Sequence, residues 1–74
     1  MPSIKLFLNK IKYSGKFDTK NIILYYHDRI LNRLIPIEFD KIKVEDEYLL
    51  FEDKTIPLHI IKEIRNKNII IWKR

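Results

Sequence analysis

Seventy-four residues, 46% hydrophobic and 34% charged, set the scale of one folded domain spanning 1–74, too apolar to stay disordered and too short for a second core. The absence of cysteine and the presence of only two histidines exclude a disulfide framework, thiolate chemistry and a four-ligand structural zinc site, so no cofactor is expected. No run approaches the roughly 18 apolar residues of a membrane span, and the first residues lack a signal peptide's apolar stretch; the expected setting is cytoplasmic, away from membranes.

Ser3 opens the first element as a candidate helix N-cap. Ile4, Phe7, Leu8 and Ile11 then fall at i, i+3, i+4 and i+7, one face of an amphipathic helix. Lys10 and Lys12 lie off that face, near the end of the helix that favours cations. Gly15 is the stop signal, and the helix is expected over residues 3–13.

The stretch "NIILYYH" is rich in β-branched and aromatic residues and reads as a largely buried strand. Alternation puts Ile23, Tyr25 and His27 on one face and Ile22, Leu24 and Tyr26 on the other. "DRILNR" follows as a loop or irregular extension. "KIKV" and "YLLF", separated by Glu45-Asp46-Glu47, form a hairpin pattern, and "EDK" makes the next turn. "PLHIIKEI" is open to two readings: a short helix started by Pro57, or a tight turn followed by a strand. The second is preferred by analogy with "PIEFDKIKV". The final pair of strands covers roughly 61–65 and 69–73, joined through Asn66-Lys67-Asn68, where Asn tolerates a left-handed turn.

Two parts of the chain echo each other. Ile-Pro occurs at 35–36 and 56–57, and the runs "YLLF" and "IIIW" follow each at similar spacing. Each unit reads as Ile-Pro, turn, strand, tight turn and apolar strand, and the echo predicts two hairpin units in one sheet. The expected fold is α+β, an N-terminal helix packed on a mostly antiparallel sheet of about five strands.

Charge is unevenly placed. Residues 1–33 hold seven bases and two acids, which accounts for the whole net charge of +5, while 34–74 are balanced. Acids gather between Glu45 and Asp53, and Arg65, Lys67, Lys73 and Arg74 gather beyond them. A basic surface of this kind suits a phosphate backbone. The chain is also rich in Lys and Ile and has a single Gly, a composition of thermophiles or AT-rich genomes, which supplies lysines without any ligand.

No catalytic constellation appears. Gly15 cannot make a phosphate loop alone, neither Ser3 nor Ser14 sits in a nucleophile elbow, and the acids at 45–53 match no calcium loop. His27 and His59 fit two roles. Either is a half-buried histidine bonded to backbone, or both converge with an arginine on a phosphate or sugar hydroxyl, since imidazole donates and accepts while guanidinium grips phosphate oxygens. Trp72, within an apolar strand, reads as core rather than as a stacking surface.

"IKLFLNKIKY", "LYYHDR", the first Ile-Pro, "TIPLHII" and "IIIWKR", in this order over nearly the whole chain, resemble the archaeal family of RNA cyclic-group-end recognition domains. The resemblance implies an RNA partner and assigns His27, His59, Trp72 and Arg74 to the family's motifs. It also implies departures. The family's His-Arg-Gly stands here as His27-Asp28-Arg29, so Arg29 serves from a shifted position. Its Pro-Tyr-His-Arg stands as Pro57-Leu58-His59-Ile60, without the aromatic or the base.

The resulting expectation is a non-catalytic RNA-binding module, with His27, Arg29, His59, Arg74, Lys10, Lys12 and Arg65 at the RNA and His27 with His59 at a cyclic-phosphate end. The alternative is a small accessory subunit of a polymerase or other nucleic-acid-processing enzyme. It would dock a protein through its acidic hairpin and turn its basic side to DNA or RNA.

Overall fold

The computed structural model describes residues 3–74. Helix α1 runs Ile4–Ser14 and buries Ile4, Leu8 and Ile11. Gly15 ends it in the left-handed conformation at φ 71°, which a residue without Cβ adopts freely. Ser3 takes the N-cap position, but its side chain makes no capping bond; its carbonyl accepts from the Phe7 amide at 3.0 Å.

Among the described residues seven strands follow rather than five, and they form two sheets rather than one. They are β1 (Ile22–Asp28), β2 (Arg33–Glu38), β3 (Ile42–Val44), β4 (Tyr48–Phe51), β5 (Lys54–Pro57), β6 (Ile61–Asn66) and β7 (Ile69–Lys73). One antiparallel sheet has the order β2-β1-β6-β7 and the other the order β3-β4-β5. The two unexpected strands, β2 and β5, each contain one of the Ile-Pro pairs. Proline lacks the amide that a ladder needs, so it marks a run as non-strand unless the strand is an edge. Both are edges: Pro36 faces Tyr25 from the rim of the first sheet, and Pro57 faces Tyr48 from the rim of the second.

The internal echo is real in outline but misplaced in space. Each Ile-Pro strand leads into a short 3-10 turn (Phe39–Lys41 and Leu58–Ile60), then a hairpin. The first hairpin, β3-β4, belongs to the three-stranded sheet and the second, β6-β7, to the four-stranded sheet. Each turn begins with an apolar residue driven into the core, Phe39 or Leu58. The tight turn between β6 and β7 carries Lys67 and Asn68 at φ 53° and 69°, the double positive φ of a two-residue hairpin turn.

The core is one cluster joining residues of α1, both sheets and both turns, among them Leu8, Leu24, Leu49, Ile61, Ile64 and Trp72. The alternation read in β1 holds in its first half, with Ile22 and Leu24 fully buried and Ile23 and Tyr25 half-buried on the other face; beyond the register shift at Tyr25/Tyr26 it fades, and Tyr26, expected with Ile22 and Leu24, is half-buried like His27. Trp72 stands in the core as its strand context implies, opposite Ile64. Among the described residues no helix is long and apolar enough to cross a membrane.

Candidate nucleic-acid interface

Leu58 is pulled into the core, so the next residue, His59, is turned out and exposed. The β6–β7 register, with Glu63 opposite Lys73, carries Arg74 alongside the start of β6. There its amide donates to the Lys62 carbonyl at 3.0 Å. Its guanidinium donates from Nε to the Ile61 carbonyl at 3.0 Å and from Nη2 to the Leu58 carbonyl at 3.1 Å, while its carbon centre lies 5.3 Å from the Trp72 ring. Arg74 therefore fastens both ends of the turn that presents His59. These bonds occupy two of its donor nitrogens and leave its charge without a carboxylate partner among the described residues.

His59, Trp72 and Arg74 line a surface cavity of about 840 Å³, completed by Lys5 at the start of α1 and by Asp46 and Tyr48 around the β3–β4 loop. Lys5 Nζ donates to Asp46 Oδ1 at 2.6 Å. That hydrogen bond, and then the lysine's charge, hold the Asp46 carboxyl below its ordinary value. The cavity is thus bordered by an imidazole, a guanidinium and an ammonium, with one acid competing for the ammonium. Converting Asp46 to Asn is expected to release Lys5 and tighten the cavity's hold on an anion by up to about fivefold, the scale of an exposed ion pair. A fixed-salt titration with a phosphate-bearing nucleotide reads this; unchanged or weaker binding places Lys5 outside the anion's reach.

The other expected contacts lie elsewhere. His27 does not line this cavity; its Nε2 lies 3.3 Å from Asn32 Oδ1 at the β1–β2 turn, where Arg29 is exposed. Arg65 donates from Nε and Nη2 to Glu63 Oε1 at 2.9 and 2.7 Å and stacks 4.4 Å from the centre of the Tyr25 ring. The Glu63 hydrogen bond raises its pKa further, and Arg65 serves first to keep the buried Glu63 paired. Lys10 and Lys12 are exposed on α1, Lys12 with its Nζ 5.4 Å from the Tyr13 ring. So the fold brings His59 and Arg74 together and leaves His27, Arg29, Arg65, Lys10 and Lys12 outside their cavity.

A family model described as the MJ1316 RNA cyclic group end recognition domain matches residues 1–74. The chain belongs to that family. A curated relative, a UPF0248 protein of the archaeon Metallosphaera sedula, is 36% identical over 74 residues, covering 97% of this chain and 92% of its own length. No solved structure matches. Three of the four residues that the sequence resemblance assigns to the family's motifs line this cavity: His59 from the turn Leu58–Ile60, Trp72 from β7 and Arg74 just beyond β7.

Lys5, Asp46 and Tyr48 were not anticipated as part of the site. Lys5 and Asp46 are 41 positions apart, and only the folded chain makes them neighbours. The acidic stretch expected to dock a protein is partly used within the molecule, Asp46 by Lys5 and Glu45 by Lys43 at 3.6 Å.

Proposed function

We propose that this protein is a non-catalytic RNA-binding module that takes an RNA end bearing a cyclic phosphate into the cavity between His59 and Arg74. The observation that carries the reading is the meeting, at one cavity, of an exposed imidazole and an arginine that has no acid partner among the described residues. The guanidinium's remaining donors suit phosphate oxygens, and the imidazole suits a ribose or ester oxygen. A cyclic phosphate is a diester with a single negative charge, whereas an open terminal phosphate approaches two. Asp46 and Glu47 on the cavity wall repel the second charge more than the first, which favours the cyclic form. His27 lies outside this cavity, so the reading rests on His59 and Arg74.

The test is a competition at fixed salt between RNAs of one sequence ending in a 2′,3′-cyclic phosphate, a 3′-phosphate or hydroxyls. The cyclic end is expected to bind tightest. His59→Ala is expected to remove that preference while leaving most of the phosphate-driven affinity. Equal affinity of the wild-type protein for all three ends sinks the end-recognition reading.

A further inference from the structure

The β1–β2 turn presents two aliphatic residues to water: Ile30 is 94% exposed and Leu31 53%. The turn is nevertheless braced. Asp28 Oδ1 accepts from the amides of Ile30 at 2.8 Å and Leu31 at 2.9 Å, and Asn32, at φ 52°, lies with Oδ1 3.3 Å from His27 Nε2. Arg29 and Arg33 flank the pair, both exposed and without ion-pair partners among the described residues. The only acid within the hairpin tip, Asp28, is engaged by the backbone. The fold gains no burial from Ile30, so its position on a braced turn between two free arginines calls for a ligand that takes both apolar contact and positive charge.

Strand register fixes where this tip lies. Tyr26 near the end of β1 faces Ile61 at the start of β6, and Lys73 near the end of β7 faces Glu63. The hairpin tip, the His59 turn and Arg74 therefore emerge at the same end of the four-stranded sheet. With adjacent strands about 4.8 Å apart, β1 and β7 are roughly 10 Å apart across β6.

We propose that the β1–β2 tip is a second RNA-contacting element, a wedge that grips the strand leading to the end held in the cavity. Arg29 and Arg33 contact phosphates, and Ile30 and Leu31 lie against unstacked bases, as apolar side chains do when they insert between base steps. The braced turn keeps the wedge in shape before RNA arrives, so little ordering is needed on binding. The inference rests on the RNA-binding reading above and adds the body of the strand to its end. A protein partner or a second copy of this chain is the competing occupant of the aliphatic tip, but two arginines without acids favour a polyanion.

The full chain is compared with two double variants, Ile30→Ser/Leu31→Ser and Arg29→Ala/Arg33→Ala. The probes are an RNA of about ten nucleotides, long enough for one small binding domain, with a cyclic or a hydroxyl end, and a 2′,3′-cyclic mononucleotide. Each variant is expected to weaken the oligonucleotide by about tenfold, keep the melting temperature and leave the mononucleotide unaffected. The arginine variant is also expected to reduce the salt slope by about 1.4. Loss of affinity for both oligonucleotide ends alike, with no end preference in wild type, supports the wedge and rejects only the end reading. Unchanged oligonucleotide affinity in both variants overturns the wedge. So does a change in self-association with RNA binding intact, which makes the tip a protein-docking surface.

Discussion

Trp72→Ala is expected to cost about 3–5 kcal/mol, the usual loss for a large core aromatic. Trp72 is 7% exposed, faces Ile64 across β6–β7 and belongs to the single core cluster. A domain this small has a stability near the low end of the usual range of about 5–15 kcal/mol, so the variant is expected to be barely folded at ambient temperature. In a domain of this size each kcal/mol moves the midpoint by roughly 4–8 °C, which makes a thermal melt the decisive measurement. Trp72→Phe is the informative companion. The indole Nε1 is buried without a hydrogen-bond partner among the described residues, a liability of about 1–3 kcal/mol that phenylalanine removes together with part of the packing. Phe is therefore expected to cost far less than Ala. An alanine variant that melts like wild type but loses RNA makes Trp72 a stacking surface instead and contradicts its burial.

Features legible in the sequence were those set by local periodicity. Ile4, Leu8 and Ile11 recur at helical spacing, Gly15 permits the left-handed stop, and buried Ile22 and Leu24 alternate with half-buried Ile23 and Tyr25. What stayed hidden depended on sheet architecture. Pro36 and Pro57 speak against strands locally and are acceptable only at rims, and nothing in the chain says in advance which strand will be a rim. The division into two sheets was hidden for the same reason, since two echoing hairpins fit equally well side by side or apart.

The candidate site divides along the same line. Residue type made His59 and Arg74 conspicuous, but their meeting depends on β6–β7 register, and Lys5 with Asp46 depends on where α1 meets the β3–β4 loop. Arg65 looked like a free cation and is held by Glu63, two positions away on the same strand face, where alternation places both side chains. His27 shares a sheet end with His59 without sharing its cavity, because His59 sits on the core-anchored turn from which the chain enters β6, while His27 remains on the strand face beside Tyr25.

Arg74→Ala is expected to have the largest effect on binding, because one side chain performs two tasks. Its guanidinium satisfies the carbonyls of Leu58 and Ile61, and stranding partly buried carbonyls costs about 1–3 kcal/mol. That cost falls on the turn carrying His59, so the imidazole's placement degrades along with the fold. The same change removes the cavity's arginine charge, and a hydrogen bond to a charged group is worth about 1.5–3 kcal/mol, or roughly tenfold and more in affinity. The two tasks separate in Arg74→Lys. Lysine keeps the charge, so the salt slope that falls by about 0.7 for a lost single-strand phosphate contact in the alanine variant is retained. Its compact ammonium cannot span two carbonyls as a planar fork does, so melting temperature and end preference should both remain impaired. His59→Ala supplies the control, losing end preference with the melting temperature intact. A lysine variant with wild-type melting and wild-type end preference shows that the carbonyl clamp does not position His59 and reduces Arg74 to a simple phosphate contact.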